Sequence, residues 1–257
     1  MVLENRHQKE AEKTQKGERK KMEVWAVIQQ KGGTGKTTTA AALAVEAGAD
    51  NMKVLLADLD PQGNLTGTTG AEKDGGSYGL IMGEKLEAYS LPLYDVAAAS
   101  PALQTITTEH GSAQRLKRGL AKLAKVYDLA IIDTPPTPGE LMYNAILAAD
   151  KIIIPCRADV YSLEGLEAMK NMIRQLGADN AAVYVLCTQT TRGNIQDIMQ
   201  GKISGYAAGS GWRYVGEVHN GVAVQEAAAL KVNLKEYAPK SKPAQDYETI
   251  YKAIKGR

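Results

Sequence analysis

A chain of 257 residues with 44% apolar residues is long enough to bury a substantial core, as one large α/β domain or two small ones. No run approaches the ~18 apolar residues of a membrane span. Two cysteines and three histidines argue against an iron–sulfur centre, a metal cluster or a disulfide framework. The charged N-terminus shows no signal-peptide pattern, so the cytosol is the expected compartment and Cys156 and Cys187, in apolar runs, are expected to be core thiols. The chain has no Phe, and nothing in the sequence accounts for it.

The net charge is only +2, and its distribution matters more. Residues 1–22 carry seven Lys/Arg against four Glu and lack apolar periodicity. They read as a solvated tail preceding a single domain over 23–257, with a basic arm for DNA or a partner as the functional alternative. Residues 189–242 also carry seven cations against four carboxylates.

The domain opens with Val24-Trp25-Ala26-Val27-Ile28, an apolar strand. Gln30-Lys31-Gly32-Gly33-Thr34-Gly35-Lys36-Thr37-Thr38 follows, and then the helix former Thr39–Ala47. Strand, glycine turn and helix are what a phosphate-binding loop requires, because glycines let the backbone wrap an anion and the helix-start N–H groups point at it. Gly32, Gly33, Thr34, Gly35, Lys36, Thr37 and Thr38 form the predicted cradle. Lys36 is placed to reach the β- and γ-phosphates, and the Thr37 hydroxyl to sit on Mg²⁺.

A second buried strand, Lys53–Asp58, runs into Leu59-Asp60-Pro61-Gln62-Gly63-Asn64, so Asp58 and Asp60 fall at a strand's carboxyl end, where ligands bind in doubly wound sheets. A flap rich in Gly, Thr and Ser covers 65–92, with a short helix expected around Leu80 to Glu87. A short strand, Leu93–Ala97, and a helix over roughly 112–126 come next. Tyr127–Asp133 is another buried strand; it ends in a carboxylate and is broken by Thr134-Pro135-Pro136, an arrangement that places Asp133 in the Mg²⁺ shell. A helix over about 139–149 leads to strand Lys151–Cys156, and Ser162 is a candidate cap for a helix bearing Leu163, Leu166, Met169, Ile173 and Leu176. Strands at Ala181–Cys187 and Tyr214–Val218 and a last helix over about 243–254 complete the chain. The alternation predicts one α/β domain, doubly wound, with a mostly parallel sheet of about seven strands and helices on both faces.

Several of these stretches together resemble one family. Lys31-Gly32-Gly33-Thr34-Gly35-Lys36-Thr37-Thr38 resembles the deviant Walker A motif KGGxGKTT of ParA/MinD-type P-loop NTPases. DLDPQGN at 58–64 resembles the switch I motif of ParA-type partition ATPases, and DTPP at 133–136 resembles their switch II. The C-terminal stretches resemble ParA-like proteins of conjugative and integrative elements. The resemblance covers roughly residues 23–255. It implies a slow, partner-stimulated, Mg²⁺-dependent ATPase, with ATP and Mg as cofactors. Asp60 would orient the attacking water, and Asp58 would join Thr37 and Asp133 at the metal. Lys31 would cross to the partner subunit's nucleotide in an ATP-bound homodimer. Adenine would be met from Thr188 and Gln189 and from Val218 and His219, although the family's usual residues are absent at both corners. The implied partners are non-specific double-stranded DNA and a ParB-like activator, without a membrane, in a cytoplasmic, nucleoid-associated setting. Arg192, Lys202, Lys231, Lys235, Lys240 and Lys242 are the candidate DNA contacts. A MinD-like membrane-surface ATPase and a nucleotide-binding module with negligible hydrolysis are the alternatives.

Overall fold

A computed structural model of the chain describes residues 21–71, 75–106 and 112–256. The predicted tail lies outside these, except that its last two residues belong to the domain. Met22 is buried in the core, and Lys21 bonds Asp150 at 2.9 Å.

Eight strands form one sheet: β1 (Glu23–Val27), β2 (Val54–Asp58), β3 (Tyr89–Ser90), β4 (Asp95–Ala97), β5 (Leu129–Asp133), β6 (Lys151–Arg157), β7 (Ala182–Thr190) and β8 (Arg213–His219). Their spatial order is β3-β4-β2-β5-β1-β6-β7-β8. All pairings are parallel except β3 with β4. The eighth strand, absent from the sequence expectation, is the two-residue β3, too short to carry a period-2 signal.

The helices are α1 (Lys36–Ala49), α2 (Asn64–Thr69), α3 (Gly76–Met82), α4 (Arg115–Leu123), α5 (Glu140–Ala148), α6 (Ser162–Gln175), α7 (Asn194–Gly209), α8 (Val222–Ala229), α9 (Leu234–Tyr237) and α10 (Lys242–Lys255). The expected helix at Leu80 to Glu87 is displaced to α3, which Gly83 ends in the left-handed region.

Side chains alternate strictly across the sheet, as a strand buried on both faces requires. Val24 and Ala26 of β1 point into one core with Leu80, Leu116, Leu120, Met142, Leu166 and Ile203, the layer of α3 to α7. Trp25 and Val27 point into the other with Leu43, Ala47, Tyr247, Ile250, Tyr251 and Ile254, the layer of α1 and α10. Thus α1 leaves β1 over one face toward β2, whereas α6 leaves the neighbouring β6 over the opposite face toward β7. The carboxyl ends of β1 and β6 therefore flank a topological switch point, the place where such sheets open a crevice. Cys156 and Cys187 are a registered pair on β6 and β7, buried and without a disulfide, as expected of core thiols.

One glycine fixes how closely α4 seats. A methyl at Gly119 would lie 2.1 Å from the backbone oxygen of Leu80 on α3, whereas Gly201 on α7 faces open space. Gly119→Ala is therefore expected to destabilise the fold by about 2 kcal/mol or more. Gly201→Ala is expected to stabilise it by roughly 0.5–1 kcal/mol. Urea denaturation of the two variants checks this directly.

Candidate nucleotide site

The loop between β1 and α1 is a built cradle. Gly33 and Gly35 have φ of 70° and 80°, where an L side chain is strained. Gly35 stands at the cap position of α1, and no side chain caps that helix. Its first N–H groups thus face the loop's interior, the arrangement that binds anions. The loop is clamped from β7: the Thr188 hydroxyl donates to Thr34 O at 2.9 Å, and the Gln189 amide donates to Gly33 O at 2.9 Å. Lys36 is nearly buried beneath the loop. Burial lowers its pKa, and the charges of Asp133 and Asp60 pull it back up.

Asp58 and Asp133 are register partners at the carboxyl ends of β2 and β5, and both are fully buried. They differ in what they meet. Asp58 accepts from Asp60 N at 3.1 Å and from both the N–H and the hydroxyl of Thr66 at 2.8 Å. Burial raises its pKa and these donors lower it. Neither oxygen of Asp133 meets a hydrogen-bond partner, although the Thr37 hydroxyl stands close enough to lower its pKa. Burial first, and the Asp58 charge second, push the Asp133 carboxyl up to about 7.

Two orphaned, buried carboxylate oxygens beside a threonine hydroxyl fit a hard divalent cation. Among the described residues no group of three or more His, Cys, Asp and Glu could hold a metal by itself. That suits Mg²⁺, which takes one or two protein oxygens and completes its shell with phosphates and water. Asp133 and Thr37 are the residues that fit it. Asp58, placed at the metal by resemblance, accepts three hydrogen bonds from the segment carrying Asp60 and braces it. Asp60 itself is half-exposed beyond the strand and accepts from Gln62 N at 3.0 Å.

Lys31 does not turn into its own loop. Its ammonium lies 2.6 Å from Asp159, which follows β6, and 5.4 Å from the centre of the exposed Tyr161 ring. This pair spans the switch point between β1 and β6. Asp159 also accepts from Tyr161 N at 3.1 Å and from the Ser162 hydroxyl at 3.0 Å. No side chain caps α6, and Ser162, the expected cap, donates instead to Asp159 and Arg157 O.

The profile of an AAA domain family matches residues 22–183. The chain is 30% identical over 242 residues to the chromosome-partitioning ATPase Soj of Thermus thermophilus, covering 90% of this chain and 95% of that one. It is 30% identical over 247 residues to the sporulation initiation inhibitor protein Soj of Bacillus subtilis, covering 89% and 96%. The chain belongs to the ParA/MinD family of partition ATPases. Its fold matches a plasmid partition protein of Borrelia burgdorferi bound to AMPPNP, with a TM-score of 0.81 at 20% identity over 92% of this chain and 99% of that one. It also matches the septum site-determining protein MinD of Pyrococcus horikoshii with Mg-ADP, with a TM-score of 0.73 at 18% identity over 91% and 96%.

Within this ParA-type framework, the four residues expected at the base make contacts within the chain. The Thr188 hydroxyl is also within 3.2 Å of Cys156 O, so Thr188 and Gln189 support the phosphate loop. Val218 is core. The His219 ring is held by Asp246 at 2.8 Å. Of the candidate DNA contacts, Lys235 is tied to the buried Glu46 at 2.6 Å and Lys242 to the buried Asp246 at 2.5 Å. Arg192, Lys202, Lys231 and Lys240 are exposed but scattered over the loop before α7, α7 itself and the C-terminal segment. Asp159, Thr66 and Asp246 are partners that sequence reading missed. The pairs Lys31–Asp159, Asp58–Thr66 and His219–Asp246 lie 128, 8 and 27 positions apart, beyond any spacing rule.

The strained Asp133 gives a pH test without metal. Its folded pKa lies above the unfolded value, so between about pH 4 and pH 7 the folded chain holds a proton that the unfolded chain has released. Stability attributable to this group therefore falls as pH rises through that window. In Mg²⁺-free thermal melts, Asp133→Asn is expected to gain on wild type as pH rises from 5 to 7.5, by ~2–4 °C per kcal/mol recovered. Parallel curves for the two proteins count against an uncompensated carboxylate.

Proposed function

We propose that this ATPase is an ATP-driven dimerisation switch that binds DNA non-specifically and partitions plasmid, chromosomal or mobile-element DNA with a ParB-like activator. One observation carries the reading: two lysines leave one phosphate loop in different directions. Lys36 lies beneath the loop, and Lys31 lies outside it on Asp159, at the crevice mouth. A second cation directed away from its own loop supports a reading in which it serves a neighbour's nucleotide.

The chemistry follows from the residues. Phosphoryl transfer to water needs positioning and charge stabilisation more than covalent catalysis. The loop N–H groups and Lys36 hold the phosphates and stabilise their charge. Bound Mg²⁺ would neutralise phosphate charge beside Asp133 and Thr37. Asp60, beyond β2, orients the attacking water by accepting its hydrogen bond. Asp58 holds the Asp60 segment through Asp60 N and Thr66. Turnover is slow while Lys31 stays on Asp159, and the activator speeds it. Nucleoid association in the cytoplasm follows from duplex binding.

The membrane alternative draws no support from α10, whose Tyr247, Ile250, Tyr251 and Ile254 are all buried in the core. No helix among the described residues is long and apolar enough to cross a membrane. The intact Asp60 and Asp133 favour hydrolysis over nucleotide binding alone.

Light scattering tests the switch. With Mg²⁺-ATP the wild type is expected to move from monomer to dimer, and Lys31→Ala to remain monomeric. An unchanged mass for wild type overturns the reading. The Lys31–Asp159 pair is partly exposed and worth about 0–1 kcal/mol. Asp159→Asn, which frees Lys31, is therefore expected to lower the half-maximal ATP concentration for dimerisation by up to ~5-fold. A rise in that concentration would instead make Asp159 part of the dimer contact.

A further inference from the structure

We propose that the outer face of α4 is a docking surface for the phosphate backbone of duplex DNA. The inference rests on the partition reading and gives that reading a surface.

Between Glu109 and Asp128 the sequence carries Arg115, Lys117, Arg118, Lys122 and Lys125 and no carboxylate. This is denser positive charge than anywhere in residues 189–242. It is hidden in a whole-chain count because acidic stretches surround it. The structure turns it into a surface. Leu116 and Leu120 are buried, and Gly119 seats α4 against the backbone of α3, so the helix is held rigidly by its apolar side. Lys117, Arg118, Lys122 and Lys125 are exposed on the other side, and Arg115 is half-buried. Arg115, Arg118 and Lys122 recur at three- and four-residue spacing and so share a face. From Arg115 to Lys122 the row spans about 10 Å at 1.5 Å per residue, and Lys125 lies in the turn that follows α4.

Lys122 donates to Gly83 O at 2.7 Å, and Lys117 and Lys125 make no ion pair among the described residues. The loop after α3 adds exposed Lys85 along with Glu84 and Glu87. By contrast, Lys235 and Lys242 of the C-terminal segment are already neutralised by buried carboxylates. The two sets also lie on opposite faces of the sheet, since α4 packs in one core and α10 in the other. One straight duplex cannot lie along both sets of a single protomer.

The chemistry fits phosphates rather than bases or lipids. A row of lysines and arginines, without amide or aromatic side chains among them, neutralises phosphate without reading sequence. An amphipathic helix that binds a bilayer buries its apolar face in the lipid. The apolar face of α4 is already spent on the core.

The test is fluorescence anisotropy of a mixed-sequence duplex with Mg²⁺-ATP, across a salt titration. It compares wild type, the triple variant Lys117→Gln/Arg118→Gln/Lys125→Gln, and the control Lys231→Gln/Lys240→Gln. Anionic phosphatidylglycerol vesicles and polyglutamate serve as competing probes. The α4 variant is expected to lose ~10-fold or more in affinity at ~0.1 M salt, and each lost contact is expected to flatten the log–log salt slope by about 0.9. Its melting temperature and basal ATPase rate should match wild type, and the control should bind within about two-fold of wild type. If wild type binds duplex and the α4 variant keeps both affinity and slope, the α4 surface is overturned while the partition reading stands. If wild type binds no duplex with or without ATP, DNA binding itself falls, and α4 with it. Binding to vesicles or polyglutamate that depends on α4, with duplex binding unaffected, reassigns the surface to that partner and overturns the proposal.

Discussion

The site is organised by a charge imbalance that the sheet itself creates. Parallel strands buried on both faces admit almost no water, and two of them end in aspartates that face each other in register. One of the two, Asp58, is made tolerable by three donors from the segment that follows it. The other, Asp133, has no such donor. A buried carboxylate without partners costs far more than a hydrogen bond returns. The rest of the site answers this one cost: Lys36 nearby, the Thr37 hydroxyl at the start of α1, and the fit to a divalent cation. The fold does not neutralise the pair internally, which leaves Asp133 suited to a divalent cation.

The phosphate loop is stiffened from outside by groups that serve no ligand directly. Thr188 and Gln189 reach across from β7 and hold two of its carbonyls, so the N–H groups stay directed inward. Lys31 is the one charged group of the loop left outside this clamp. It rests on Asp159 across the switch point, in a pair weak enough to be exchanged for a stronger anion. A buried, fully satisfied pair at that position would cost several kcal/mol to break and would fix the lysine in place. Partial exposure keeps the contact reversible.

Local chemistry was legible in the sequence, and long-range chemistry was not. The glycine turn between an apolar run and a helix former, and aspartates at strand ends, need only a few residues of context. They set the glycine turn between β1 and α1, Asp133 at the end of β5 and Asp60 just beyond β2, where the structure has them. The sheet class followed from the alternation of runs, although β3, two residues long, left no periodic trace. Most of what failed depended on partners set by tertiary structure. Asp58 looked equivalent to Asp133 because the donors that distinguish them come from Thr66 and from the backbone path beyond β2. Lys235 looked like a free surface charge because Glu46 reaches it only in the fold, whereas the pairing of Lys242 with Asp246, four residues on, lay within reach of helical spacing. The basic row on α4 was visible in principle, but only to a charge count over a window of about 18 residues; broader sums cancelled it.

A switch must carry the state of its site to the surface it controls, and the structure contains a contiguous route to α4. The Thr66 hydroxyl that donates to Asp58 also accepts from Ala99 N at 2.9 Å. Next to Ala99, Ser77 at the start of α3 donates its N–H to Ala98 O at 3.0 Å and its hydroxyl to Ala97 O at 2.8 Å. The backbone of α3 then presses Leu80 O against Gly119 of α4. Any movement of the Asp60 segment on meeting a γ-phosphate is thus made against a chain of hydrogen bonds and close backbone contacts that ends beneath the basic row. Contiguity alone is not coupling, which requires an element with two arrangements biased by both sites. The α2 helix, six residues long with two buried side chains, is the weakest link in that chain and the element best suited to have them.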